Sequence, residues 1–299
     1  MGFRYFSLTA AAMLASALCA QTLSAQTVNN DALPSDSGYG RTGGQNIQPF
    51  YEGWQRMTDG HVVMWFGYLN RNFDEQVDVP VGPANQFDLR ADMGQPSHFY
   101  IRRHLFVFKV DVPDKWPADR KLIWSVTAHG RTSSASGWLQ PEWEVDEGVM
   151  QMNIGPGGAP PDPPNHAPAV TVKGDTTIAV GRELKLTASA TDDGIPKARK
   201  RAPSPVSAVA QTPLPMPAAA APPPRAQIGL RVNWILYRAP ETGGTVTFDQ
   251  EAPRPSVGAT SAELTTNASF SAPGLYWLRA VASDGLLETP YDLKITVLK

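Results

Sequence analysis

The residues best equipped for chemistry in this chain are scattered rather than grouped. The five histidines are His61, His98, His104, His129 and His166. None falls in an H-E-x-x-H pattern or at another paired metal spacing, and no cysteine outside the first segment is present to complete a thiolate zinc site. His98 lies close to Arg102, Arg103 and His104, the densest basic group of the N-terminal half. Guanidinium groups offer a planar fork of donors suited to carboxylate or phosphate. The competing reading is a solvated strand end, or ion pairs with Asp88 or Asp92, and surface charges usually behave that way. No G-x-S-x-G is present, and the serine run 133–136 has no base near it in sequence. Glu52, Asp74, Glu75, Glu142, Glu144 and Asp146 include pairs from which a glycosidase is built, but nothing distinguishes them from surface acids. The sequence nominates no catalytic residue.

Two further motifs carry weight only in context. Gly38-Tyr39-Gly40-Arg41-Thr42-Gly43 fits G-x-G-x-x-G. A phosphate cradle needs a strand before it and a helix after it, and here a polar leader precedes it and a strand pattern follows. The match reads as accidental. Asp192-Asp193-Gly194 and Asp284-Gly285 mark turns, where Asp-Gly is favoured for its backbone geometry. Asp192, Asp193 and Asp284 are the calcium candidates, since calcium takes several oxygen ligands from flexible loops. No other cofactor is indicated.

Aromatic residues are the stronger signal. Six of the eight tryptophans fall in the N-terminal half, at Trp54, Trp65, Trp116, Trp124, Trp138 and Trp143. An exposed indole stacks on a sugar ring or anchors a protein partner. Trp54, Trp138 and Trp143 stand near glycine or proline at strand ends, where exposure is favoured. They join His98, Arg102 and Arg103 as candidate ligand-binding residues. A small β domain without disulfides also needs large side chains for its core, and core packing competes with every one of these.

The elements that must position these groups begin with a leader. Arg4, an apolar run over 8–18 and small residues up to Ala25 make a signal peptide over 1–25, with cleavage after Ala20 or Ala25. The run is shorter than the ~20 apolar residues that span a bilayer. The single cysteine, Cys19, follows Leu18, where lipid attachment wants a small residue, so it is expected to leave with the signal. The mature chain then lacks disulfides. Removing Arg4 takes the formal charge from -2 to -3, which gives no reason to expect nucleic acid. No later stretch has membrane-spanning length, so no membrane span is expected. Export to periplasm, cell surface or medium follows from the leader.

Residues 26–45 read as a disordered leader and 151–167 as a Gly/Pro linker. Between them, 46–150 is a β-rich module. Asp59-Gly60 is a hairpin signal joining strands at 50–57 and 61–69. Alternation over 104–112 places Phe106, Phe108, Val110 and Val112 on one face. Strands at 121–128 and 132–139 are joined by His129-Gly130-Arg131. No amphipathic helix is evident. The second module, 168–299, shows short strands at 169–172, 176–180, 184–190, 230–237, 246–248, 268–270, 275–283 and 293–297, with Trp234 as a core aromatic. Such spacing predicts a two-sheet sandwich. An insertion over 195–227, with KARKR (197–201) and a Pro/Ala tract, reads as a disordered loop in which the charge run is solvated. Asn267-Ala268-Ser269 spells a glycosylation acceptor of little weight beside a bacterial-looking leader.

The strings LTASATDDG (186–194), VNWILYRAP (232–240), NASFSAPGLYWLRAVASDG (267–285) and LKITVL make the second module similar to bacterial immunoglobulin-like domains of the PKD or cadherin-like kind. That resemblance implies a sandwich fold, and such a fold serves many roles. The strings PFYEGW (49–54), FGYLNRN (66–72), VPVGPANQF (79–87) and GQPSHFYIRR (94–103) make the first module similar to an uncharacterised family of exported bacterial proteins, which implies no activity. The expectation is an all-β protein of two β-sandwich-like domains, the second immunoglobulin-like, held apart by the linker. It would act without catalysis in the cell envelope or medium, in recognition or as a structural spacer, its partner an envelope glycan or another envelope protein. A carbohydrate-binding or carbohydrate-active protein is the alternative, and a hydrolase with a site assembled from distant residues is the third class.

Overall fold

A computed structural model describes residues 43–154, 163–197, 228–250 and 253–299. The expected signal peptide with Cys19, nearly all of the leader and of the glycine motif, linker residues 155–162 and insertion residues 198–227 lie outside the described residues. The protein is all-β, and among the described residues no helix is long and apolar enough to cross a membrane.

The first module runs through β1 (Ile47–Arg56), β2 (Val62–Asn70), β3 (Val77–Asp78), β4 (Asn85–Phe87), β5 (His98–Phe99), β6 (Arg102–Asp111), β7 (Leu122–Ala128) and β8 (Arg131–Gly137). Sheets β1-β2-β6 and β4-β7-β8 enclose its core, and β3 pairs with β5. The core is aromatic. Trp124 is fully enclosed, stacked on Phe87 at 5.9 Å and met edge-on by Phe108 at 5.0 Å. The expected hairpins form. Met57 and His61 close the turn at Asp59-Gly60, and His129 (φ 49°) and Gly130 (φ 71°) form the two-residue turn between β7 and β8. Positive φ at both central positions matches the right-handed twist of the strands.

Phe106 departs from its expected face. The register between β2 and β6 shifts between Phe66 and Tyr68, and Phe106 takes φ 49° opposite that irregularity. Phe108 and Val110 enter the core, while Phe106 packs edge-on against Trp65 at 6.1 Å on the other side of the sheet. Residues 105–107 of β6 stand against Gly67 alone, so the two extra residues bulge out of the ladder, and pairing resumes at Tyr68 and His104 with the faces unchanged.

A 3-10 turn (Pro141–Trp143) and a helix, α1 (Glu147–Ile154), follow. The helix occupies the start of the expected linker, at 151–154. Its N-cap is Asp146, whose carboxylate accepts the Val149 N–H at 2.8 Å. Eight residues are too few for a periodic apolar stripe to show in sequence.

The second module comprises β9 (Ala169–Gly174), β10 (Thr177–Ala179), β11 (Glu183–Thr191), β12 (Arg231–Arg238), β13 (Val246–Phe248), β14 (Ser261–Phe270), β15 (Gly274–Ser283) and β16 (Glu288–Leu298). Sheets β10-β16-β15-β12 and β13-β14-β11-β9 form the sandwich. Leu186, Val232, Trp234, Tyr276, Leu278 and Ile295 fill it, with Trp234 buried as expected. Asn267 lies within β14, and its amide donates to Asp249 at 2.7 Å.

The modules are not held apart. Residues 41–299 form one compact unit. The Leu236 N–H donates to the Tyr100 hydroxyl at 2.9 Å, and the Tyr237 hydroxyl donates to the Gly94 carbonyl at 2.5 Å. Arg238 binds Asp92 through both terminal nitrogens, at 2.9 and 2.8 Å, and donates Nε–H to the Gln95 carbonyl at 2.7 Å. Arg279 reaches the Val107 carbonyl at 2.6 Å. Polar residues on β12 and β15 thus meet carbonyls of the first module directly.

Candidate functional site

The expected aromatic residues separate into one core residue and one surface group. Trp54 is buried, and its indole N–H donates to the Gln140 carbonyl at 2.7 Å. It presents no face to a ligand, which corrects its place among the binding candidates. Trp138 and Trp143 come together around Tyr51, with ring centroids 6.2 and 5.4 Å away and interplanar angles of 23° and 28°. The Tyr51 hydroxyl donates to the Trp138 carbonyl at 2.8 Å, and burial pushes its pKa up. Trp143 covers this stack and keeps 41% of its surface exposed.

Local sequence explains why the indole sits there. Pro141 favours the start of a tight turn, closed by the Trp143 N–H to the Gln140 carbonyl at 3.0 Å. The Val145 N–H then returns to the Trp54 carbonyl at 2.8 Å, pinning the segment against β1. Two glycines permit this approach. A Cβ at Gly53 (φ 123°) would lie 2.6 Å from the Trp143 carbonyl, and one at Gly137 would lie 2.7 Å from the Tyr51 ring. Lys121 Nζ stands 5.4 Å from the Trp138 ring. The result is a stiff aromatic surface with a cation at its side.

The basic group does not converge. His98 is held between Asp78 at 2.7 Å and Gln76 at 2.8 Å, its ring edge-on to Tyr100. Arg102, at φ 73°, places its guanidinium over Phe73 at 4.3 Å. Arg103 donates to Glu52 at 2.6 Å and lies over Phe50 at 4.2 Å. Burial raises the Glu52 carboxyl, and Arg103 opposes that rise. The acidic partners are therefore Asp78 and Glu52, not Asp88 or Asp92. Asp88 instead accepts the Ile123 N–H, and Asp92 is taken by Arg238. His104 donates to the Ile101 carbonyl at 3.0 Å, and burial lowers its pKa.

Asp192, Asp193 and Asp284 gather where α1, the linker end and the second module meet. Asp193 accepts N–H groups from Ile195 and His166, at 2.9 and 3.1 Å. Asp284 accepts from Leu286 at 2.6 Å, Leu287 at 2.7 Å and the Asn165 amide at 2.9 Å. Asp192 accepts from Gly194 through one oxygen, and its other is buried without a partner among the described residues. Desolvation raises both Asp192 and Asp284, and neighbouring negative charge adds to it. Most of these oxygens serve turns. Among the described residues no three His, Cys, Asp or Glu side chains are arranged to hold a metal.

The residues that sequence reasoning passed over line the module boundary. Tyr100, Arg231, Asn233 and Arg279 border a cleft of about 540 Å3 together with His98 and His104. Arg231 and Asn233 alternate with Val232 and Trp234, a pattern equally suited to a solvent face. Arg279 left the clearer trace, a lone cation inside the apolar strand GLYWLRAVAS.

No family model matches the chain, and no curated protein matches it. A solved structure titled "Crystal structure of protein of unknown function from Porphyromonas gingivalis W83" is similar over 85% of this chain and all of its own, at 11% identity and a TM-score of 0.24. A likeness of that size carries no argument about fold or function.

Proposed function

We propose that this is an exported, non-enzymatic recognition protein of the cell envelope or medium, and that it contacts its ligand through the Tyr51–Trp138–Trp143 surface. The carrying observation is Trp143, exposed over 41% of its surface yet stacked on a buried tyrosine. An exposed indole resting on other aromatic rings offers a flat apolar face to a ligand. Holding it rigid in advance lowers the entropy lost on binding. The ligand class that suits such a face is a sugar ring, whose C–H face packs on indole while its hydroxyls stay wet. Lys121 beside Trp138 favours a glycan bearing negative charge.

Titration of soluble envelope glycan fragments against the full chain, followed by tryptophan fluorescence, tests the reading. Saturable quenching, weakened about tenfold or more in Trp143→Ala, is the expected result. An unchanged titration in that variant removes the surface from consideration. Turnover of any fragment, abolished by a single substitution, would instead favour a carbohydrate-active enzyme.

The structural-spacer reading has its own support. The bonds from Arg238, Tyr237 and Arg279 to the first module favour a stiff two-module body. Deleting the aromatic face without loss of biological role, while Arg238→Ala abolishes it, would favour that reading.

A further inference from the structure

The cleft between the modules has a volume of about 540 Å3, within the range that ordinarily holds a small organic ligand. Most of its polar groups are already engaged. Arg279 binds Asp292 at 2.6 and 2.9 Å and the Val107 carbonyl at 2.6 Å. Arg103 is bound to Glu52, and both ring nitrogens of His98 are occupied. The Tyr68 hydroxyl accepts the Tyr100 N–H at 3.0 Å.

Two groups in the wall are not engaged. Arg231 Nε and Asn233 Oδ1 are both shut off from solvent and, among the described residues, without a hydrogen-bond partner. Neither condition is cheap, since an enclosed donor or acceptor normally finds a partner. Two residues apart on β12, they project from one face of the strand, next to Ile235. Nor does Arg231 form an ion pair within 4.0 Å among the described residues. Strain lies alongside. Phe106, in the cleft wall, and Arg102, adjoining it, hold φ values of 49° and 73°, where residues other than glycine are uncommon.

The backbone of β12 adds a third feature. It is an edge strand. The N–H of Leu230 bonds Ser256 and that of Leu236 bonds Tyr100, both on the side away from β15. Alternation aims the N–H and C=O of Val232 and Trp234 to that same side, where neither finds a partner among the described residues. A short unpaired stretch of strand edge is a site at which an extended peptide adds its own main chain.

We propose that this cleft binds the free C-terminal end of a peptide. The carboxylate meets the terminal nitrogens of the Arg231 guanidinium, the Asn233 amide turns outward so that its Oδ1 accepts the N–H of the last residue, and the apolar side chain of that residue packs on Ile235, Leu105 and Val281. A carboxylate only accepts, which matches the guanidinium, and the amide beside it supplies the donor that Asn233 lacks. A fatty carboxylate satisfies Arg231 and leaves Asn233 unmet. Glu288 also lines the cleft, where the positive charge of Arg231 offsets its own.

Calorimetric titration of the full chain with three probes tests this: N-acetyl-Ala-Ala-Leu as the free acid, the same peptide as its C-terminal amide, and octanoate. The acid binds saturably, and the amide and octanoate each bind about tenfold or more weaker. Arg231→Gln weakens the acid by a similar factor, Asn233→Leu narrows the gap between acid and octanoate, and Trp143→Ala changes neither. Equal binding of acid and amide overturns the proposal, as does octanoate binding as tightly as the acid, or no heat from the acid at millimolar concentration. The acid-against-amide comparison uses the unaltered protein, so it decides even where a variant fails to fold.

Discussion

The phenolic oxygen of Tyr100 accepts the backbone N–H of Leu236 at 2.9 Å, joining the first module to the edge strand of the second. The ring lies against His98, and burial pushes the phenol's pKa up to about 12. Replacing Tyr100 by Phe keeps the ring and leaves that N–H without its acceptor. The expected cost is about 1–3 kcal/mol of stability, read from denaturant unfolding. Hydrogen exchange at the Leu236 amide should quicken selectively, while amides inside the first-module core keep their protection.

Asp92 and Arg238 form the bidentate contact of the same boundary. Arg238, by hydrogen bonding above all, holds the Asp92 carboxyl down at about 2, against an ordinary 3.8. A depressed carboxylate contributes stability fully above its unfolded value and loses it as pH falls. Stability should therefore decline between pH 3.8 and about 2, the range set by these two values. Asp92→Asn should flatten that decline. An unchanged acid limb in the variant would show that the pair does not drive it.

Asp192 and Asp284 work in the opposite sense. Their carboxyls lie above the ordinary 3.8, so the native state holds protons that the unfolded chain releases. Their contribution is intact below that value and is lost as pH rises through the raised one. Asp192→Asn should thus raise the thermal midpoint at neutral pH and leave it little changed in acid. Repeating the series with millimolar calcium chloride asks whether an ion substitutes for the protons. Among the described residues, the enclosed oxygens of this region without a hydrogen-bond partner are Asp192 Oδ1, Asn165 Oδ1 and Gln151 Oε1. A midpoint that rises with calcium in the unaltered protein and not in Asp192→Asn would add a cation to the junction.

Gly137 lies under the aromatic surface. A methyl group there would press on the Tyr51 ring at 2.7 Å and on Met64 Sδ at 3.2 Å. Gly137→Ala should cost about 1–3 kcal/mol by overpacking. It should also displace Trp143, shifting the tryptophan emission before unfolding begins. A variant with unaltered emission would mean that the stack yields elsewhere.

The strands that could be read in advance are those whose alternation reports one buried face, such as Leu184, Leu186, Ala188 and Ala190 in β11. Trp234 was legible for the same reason. Phe106 was not, because the register shift opposite it depends on β2. Trp54 and Trp143 looked alike, both standing near glycine or proline; the turn at Pro141 buries one and leaves the other open. Arg231, Asn233 and Arg238 were hidden differently. On β12 Arg231 and Asn233 occupy positions that alternate as solvent-facing residues do, Arg238 falls beyond the register shift after Leu236, and the segment from Asp92 to Tyr100 turns that face into a boundary. Periodicity reports which side of a strand is apolar, not what arrives on the polar side.

The boundary also bears on how the chain acquires its shape during synthesis. The carbonyls of Gly94, Gln95 and Val107 leave the ribosome well before the Tyr237, Arg238 and Arg279 side chains that bind them. Domains generally begin folding from the N-terminus. The first module must therefore wait with these acceptors in water while the second is made. Those acceptors exchange water for Tyr237, Arg238 and Arg279 only once the second half is in place.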